Sequence, residues 1–141
     1  MNDGSYAGDV TSTEAFEMLE QEDNAVLVDV RTTPEWQFVG VPDLRRLGKE
    51  TILLSWQAYP QMALHPDFPA ALQQQGIGPD RKVLLLCRSG ARSRSAAQAL
   101  TAAGFSQAYN VADGFEGPLD EENHRGRAAG WKASGLPWIQ Q

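Results

Sequence analysis

Cys87 is the single cysteine of the chain, and it stands where an apolar run, Val83 to Leu86, gives way to Arg88-Ser89-Gly90-Ala91-Arg92-Ser93-Arg94. Cysteine reacts as the thiolate, which neighbouring guanidinium groups and helix N-termini stabilise. Arg88, Arg92 and Arg94 are three of the chain's nine arginines, gathered within seven residues of a protein whose net charge is −6. The local field therefore opposes the global one and favours a charged sulfur. A lone cysteine within an apolar strand ordinarily packs as a small hydrophobe. Arg-Ser-Gly cannot continue a buried strand, so Cys87 is placed at a strand tip as a candidate nucleophile that supplies chemistry and little packing.

The elements that position it follow from periodicity. Val83 to Leu86 reads as a fully buried strand, and beyond the loop Ala96, Leu100 and Ala103 fall at i, i+4 and i+7 of a helix from Ser93 to Ala103. A short loop opening into a helix points backbone N–H groups inward, which makes an anion cradle of Arg88, Ser89, Gly90, Ala91, Arg92 and Ser93 around the sulfur.

Upstream, Thr11-Ser12-Thr13-Glu14 reads as a capping box before a helix to about Glu20, with Phe16, Leu19 and Glu20 on its inner edge and Ala15 alongside. Ala25 to Val30 is a central strand, and Asp29 and Arg31 flank Val30 at the edge where open α/β sheets bind ligands. Thr33-Pro34-Glu35-Trp36 starts a short helix in which Glu35 is a solvated acid. Thr51 to Leu54 is the next strand, after which Trp56 and Tyr59 lie in a loop over the active edge. A helix over Pro66 to Gln75, a strand over Gln107 to Val111, a solvated turn from Asp120 to Arg127 and a last helix around Ala128 to Ala133 complete the chain. Strands alternating with helices imply a parallel sheet covered on both faces.

The chain's 141 residues, 42% of them hydrophobic, suit one domain. A single cysteine forms no internal disulfide and suits a reducing compartment, and the separated His65 and His124 make no metal cluster. No apolar run approaches the roughly 20 residues of a membrane span, and the negative charge argues against sequence-independent binding of nucleic acid. A soluble, cytoplasmic protein is expected.

The loop Cys87 to Ser93, the stretch Ala25 to Arg31 followed by Pro34-Glu35-Trp36, Gly114-Phe115-Glu116-Gly117, and Gly130-Trp131-Lys132-Ala133-Ser134-Gly135-Leu136-Pro137 together resemble the single-domain rhodanese family of sulfurtransferases. The resemblance implies one rhodanese-like α/β domain over residues 1–141, its core about 9–138, with a five-stranded, mainly parallel sheet flanked by helices on both faces. It implies that Asp29 and Arg31 brace the active loop and that Cys87 carries sulfur as a persulfide. The donor would be a small anion such as thiosulfate, its sulfonate held by Arg88 or Arg92, and the acceptor cyanide or a thiol, including one on a persulfide-relay protein. No metal or organic cofactor is called for. One departure is Gly40-Val41-Pro42-Asp43-Leu44, where most members have Gly-His-Ile-Pro-Gly-Ala; this chain lacks that histidine.

Two other functions use the same residues. A cysteine phosphatase or arsenate reductase places its clamping arginine six residues after the cysteine, where this chain has Ser93. A non-catalytic binding module often lacks the cysteine altogether. In the rhodanese family the six-residue loop goes with sulfur and the seven-residue one with phosphate, so Cys87 to Arg92 resembles the sulfur form.

Overall fold

A computed structural model of the chain describes residues 5–125 and 128–140. The elements in order are β1 (Gly8–Val10), α1 (Ser12–Gln21), β2 (Ala25–Asp29), α2 (Thr33–Phe38), β3 (Val41–Pro42), a 3-10 turn (Arg45–Leu47), β4 (Ile52–Leu53), β5 (Gln57–Ala58), β6 (Ala63–Leu64), α3 (Phe68–Gln74), β7 (Lys82–Leu86), α4 (Ala91–Ala102), β8 (Ala108–Val111) and β9 (Trp138–Ile139). The main sheet runs β1-β8-β7-β2-β4 and every pairing in it is parallel. It is the expected five-stranded α/β sheet, with β7 at its centre.

The unbroken apolar sequence of β7 has a structural cause. Successive side chains of a strand point to opposite faces. Val83 and Leu85 pack with Val28, Phe68, Leu72 and Leu100 beneath α3 and α4. Leu84 and Leu86 pack with Phe16, Leu19, Leu27 and Trp131 on the α1 side. A strand covered on both faces has no polar alternation to show.

Helix α1 begins with the capping box read from the sequence: Thr11 Oγ1 accepts from Glu14 N at 3.1 Å, and Glu14 Oε1 accepts from Thr11 N at 2.8 Å. Its buried stripe is Ser12, Ala15, Phe16 and Leu19. Glu20, expected at the inner edge, is exposed. Ser12 takes the inner position because its hydroxyl donates to Asp113 Oδ1 at 2.8 Å and contacts Gly114 O at 3.1 Å.

Three features escape local reading because each depends on a distant partner. The edge strand β1 pairs with β8, about a hundred residues on. The two-residue strands β3 and β9 pair antiparallel across most of the chain; β5 and β6, by contrast, are a local hairpin where a loop was expected. The helix expected over Ala128 to Ala133 does not form; those residues make turns. Trp131 N donates to Gly114 O at 2.8 Å and Lys132 N to Phe115 O at 3.1 Å, so donors that a helix would turn on its own preceding carbonyls are spent on another segment. Gly126 and Arg127, in the turn expected just before, lie outside the described residues. Among the described residues no helix is long and apolar enough to cross a membrane.

Trp131 closes the α1 side of the core. It is fully buried, meets Phe16 edge-on at 5.8 Å, and donates its indole N–H to Pro137 O at 2.7 Å. Trp131→Ala should cost about 3 to 5 kcal/mol in urea unfolding, the range for emptying a buried aromatic site. A loss below about 1 kcal/mol would show that the segment carrying it is not part of the core.

Candidate active site

β7 delivers Cys87 to the C-terminal edge of the sheet, and α4 begins at Ala91. The intervening loop is oriented by its carbonyls. Cys87 O accepts from Phe115 N at 2.8 Å, and Arg88 O accepts from Glu116 N at 3.0 Å and Gly117 N at 3.1 Å. With those carbonyls turned toward residues 115–117, loop amides turn the other way, and Gly90 N donates to Cys87 Sγ at 3.1 Å. Two glycines permit this approach. A Cβ at Gly90, where φ is 107°, would overlap the Ala112 carbonyl oxygen, and one at Gly114, where φ is 70°, would overlap that of Arg88.

Cys87 is 1% exposed and belongs to the core cluster with Val28 and Val30. This corrects the expectation that it contributes little packing: by strand alternation Cys87 continues the face of Val83 and Leu85, so its side chain joins the cluster beneath α3 and α4. Ser93 Oγ lies 3.2 Å from Cys87 Sγ and 2.6 Å from Asn110 Oδ1. Asn110 Nδ2 donates to Asp9 Oδ1 at 3.1 Å, and Tyr6 Oη donates to the same oxygen at 2.7 Å. That hydrogen bond to Asp9, with a smaller effect of burial, raises the Tyr6 phenol above its ordinary value. Ser93 was legible from the loop. Asn110, Asp9 and Tyr6 were not, because they are linked to Ser93 one through the next, from β8, β1 and the residues before it, which only the sheet order brings together.

The arginines divide their work. Arg92 donates through Nη1 and Nη2 to Glu35 Oε1 and Oε2, at 2.7 and 2.9 Å. Glu35 is thus not the solvated acid expected at the start of α2. Burial alone would raise its carboxyl, but the Arg92 guanidinium, together with Thr32, outweighs burial and holds it down at about 2. The same hydrogen bond raises Arg92. A cleft of about 430 Å³ opens against the loop, lined among others by Glu35, Met62, Arg88, Arg92, Glu116 and Arg125. Arg88 and Ala91 are exposed, and Ser89 is half-buried on the opposite flank of the loop, beside Asp113. Of the aromatics expected over this edge, Trp56 packs edge-on against Phe68 at 5.5 Å and Tyr59 is 63% exposed. Met62, carried by the turn of the β5–β6 hairpin, lines the cleft instead. His124 lies in the exposed turn, its backbone N–H donating to Asp120 Oδ1 at 2.9 Å.

Asp29 and Arg31 form an ion pair of 2.6 Å between fully buried side chains. Arg31 Nη2 also donates to Gly40 O at 2.7 Å, and the guanidinium lies 4.2 Å from the centre of the Phe115 ring. Since Phe115 N is the donor to Cys87 O, the ion pair supports the loop through one intervening residue.

Residues 7–141 match the family described as STR4 middle domain. The uncharacterised protein RC0915 of Rickettsia conorii is 43% identical over 132 residues, 92% of this chain and 94% of its own length. The chloroplastic rhodanese-like domain-containing protein 4 of Arabidopsis thaliana is 31% identical over 127 residues, 89% of this chain and 24% of that protein. The thiosulfate sulfurtransferase GlpE of Glaesserella parasuis is 32% identical over 117 residues, 81% of this chain and 88% of that one. Among solved structures, that of Rv0390 from M. tuberculosis superposes with a TM-score of 0.87 at 50% identity, covering 97% of this chain and 100% of that chain.

The Glu35–Arg92 pair gives a signed dependence on pH. A carboxyl held low in the folded state contributes stability that is complete above its ordinary value of 4.5 and is lost as pH falls through about 2. Glu35→Gln should therefore cost about 1 to 2 kcal/mol at neutral pH, a figure reduced for partial exposure, and the gap should close as the pH falls through that window. Denaturant midpoints of both proteins across the acid range check this. A gap that stays constant with pH would mean that Glu35 acts through packing alone.

Proposed function

Because the chain belongs to the rhodanese-like family, we propose that it is a sulfurtransferase in which Cys87 carries a sulfane sulfur from an anionic donor such as thiosulfate to cyanide or a thiol. The observation that carries this reading is the amide of Gly90, which donates to Sγ at 3.1 Å in a loop whose Cys87 and Arg88 carbonyls are tied to residues 115–117.

The reaction runs in two displacements. The Cys87 thiolate attacks the outer sulfur of thiosulfate, the donor's S–S bond breaks, and sulfite leaves with its electron pair. The enzyme then holds Sγ–S⁻, whose terminal charge the amides of Gly90, Ala91, Arg92 and Ser93, at the start of α4, stabilise. An acceptor nucleophile attacks the terminal sulfur, the Sγ–S bond breaks, and the Cys87 thiolate returns. Electrons balance within each step, with no external oxidant. Arg88, exposed in the cleft, binds the donor's sulfonate. Arg92, whose two terminal nitrogens are already on Glu35, supplies charge and loop shape more than a clamp. A thiol on a relay protein is an acceptor of the right chemistry, and a single cysteine suits the reducing cytoplasm.

Mass spectrometry after exposure to thiosulfate should find one added sulfur on the wild-type protein and none on Cys87→Ser. Serine fits the same site and keeps its hydrogen-bond neighbours, so that variant should retain its thermal transition. Absence of the added sulfur from the wild type would sink the proposal. Arg88→Ala should lower kcat/KM for thiosulfate about 10- to 150-fold, the loss expected of one charge-assisted hydrogen bond. Arg92→Ala should lose less. An organic persulfide, which has no sulfonate, should show a smaller Arg88 effect; equal losses with both donors would remove the donor-binding role.

A further inference from the structure

Cys87 Sγ, Ser93 Oγ, Asn110, Asp9 and Tyr6 form one hydrogen-bonded chain from the buried sulfur to an exposed carboxylate. Its polarity follows from chemistry. Asp9 is a carboxylate and only accepts, so Asn110 presents Nδ2 to it at 3.1 Å and turns Oδ1 toward Ser93. An amide oxygen also only accepts, so it claims the single hydroxyl proton of Ser93, at 2.6 Å. Ser93 then faces Cys87 with a lone pair, across 3.2 Å, which suits a protonated thiol and repels a sulfur anion.

We propose that Asn110 is a positioning residue that sets the direction of the Ser93 hydroxyl and thereby the balance between thiol and sulfur anion at Cys87. With Sγ protonated, S–H donates to Ser93 Oγ and the Ser93 proton rests on Asn110. With Sγ anionic, its proton having gone to solvent, the hydroxyl turns about its C–O bond and donates to the sulfur, leaving the Asn110 oxygen unpaired. The rotor thus withholds a donor while Sγ is protonated and supplies it when Sγ is charged, as it is when an acceptor takes the outer sulfur. The charged groups around it are Arg92 on α4, which acts on Cys87, the Asp29–Arg31 pair at the end of β2, Arg88 in the loop, Asp9 on β1, and Arg94, which acts on Tyr6. The inference deepens the reading of Cys87 as sulfur carrier and rests on it.

The test is the pH profile of Cys87 alkylation by iodoacetamide in a double-mutant cycle. Asn110→Ala, by removing the competing acceptor, should displace the profile to lower pH and raise the rate at a fixed pH on its rising limb about two- to tenfold, the worth of a neutral hydrogen bond. Asp9→Ala should move it the same way by less, because the amide is no longer held in one orientation; Asp9 is exposed, so this variant serves if Asn110→Ala fails to fold. Ser93→Ala should slow alkylation, and in that background neither substitution should have further effect. Equal shifts with and without Ser93 would show that charge or general structure is responsible and overturn the proposal, as would no shift, or slower alkylation, in both the Asn110 and Asp9 variants. Alkylation needs no sulfur donor: a protein that shows this pattern yet takes up no sulfur from thiosulfate keeps the rotor and loses the sulfurtransferase reading.

Discussion

The site depends on where the carbonyl groups of Cys87 and Arg88 point. A loop of alternating donors and acceptors offers an anion no net advantage unless one set is turned away, and here the amides of Phe115, Glu116 and Gly117 draw those carbonyls to themselves. What remains on the sulfur's side is a hydrogen-bond donor, Gly90 N, followed by the first amides of α4, which have no carbonyl of their own helix to bond. The approach is close enough that Gly90 and Gly114 leave no room for a side chain. The cradle is therefore a property of two segments, and the chain between Gly114 and Gly117 belongs to the candidate site although the contacts to the sulfur come from Gly90 and Ser93.

A buried ion pair holds that second segment. Taking Asp29 and Arg31 out of water is costly, and such pairs are weak evidence of stability in themselves. Their geometry indicates what they do here. Arg31 joins the end of β2 to the carbonyl of Gly40 and lays its guanidinium on Phe115, the residue whose amide anchors Cys87. Trp131, bonded through its backbone to Gly114, supports the segment from the other side. The position of the sulfur is thus fixed from β2, from residues 114–117 and from the chain's last turns at once.

Around the loop, charge is arranged in opposition. A chain of net charge −6 gathers Arg88, Arg92 and Arg125 at one cleft, and then answers Arg92 with Glu35 and places Glu116 beside them. Arg88 is exposed and Arg92 is paired, although they look alike in sequence. The same division holds for the hydroxyl of Ser93, which two acceptors claim and which has one proton to give.

The sequence by itself determined the elements whose signals are local. The apolar run of β7, the capping box of Thr11 and Glu14, the Gly-containing loop and the place of the cysteine at its head are all marked within a few residues, because strand burial, helix capping and strand-to-helix turns are short-range constraints. Tertiary structure alone decided what depends on contact between distant segments. It made an edge strand of Gly8–Val10 and spent the amides of Trp131 and Lys132 on residues 114 and 115 where a helix was expected. It also paired Glu35 with Arg92 across 57 positions and brought Asn110 and Asp9 to the serine beside the sulfur. None of those residues is unusual in its own neighbourhood, so nothing local marks them. Their partners are chosen by the order β1-β8-β7-β2-β4, which sets which strand ends meet around Cys87.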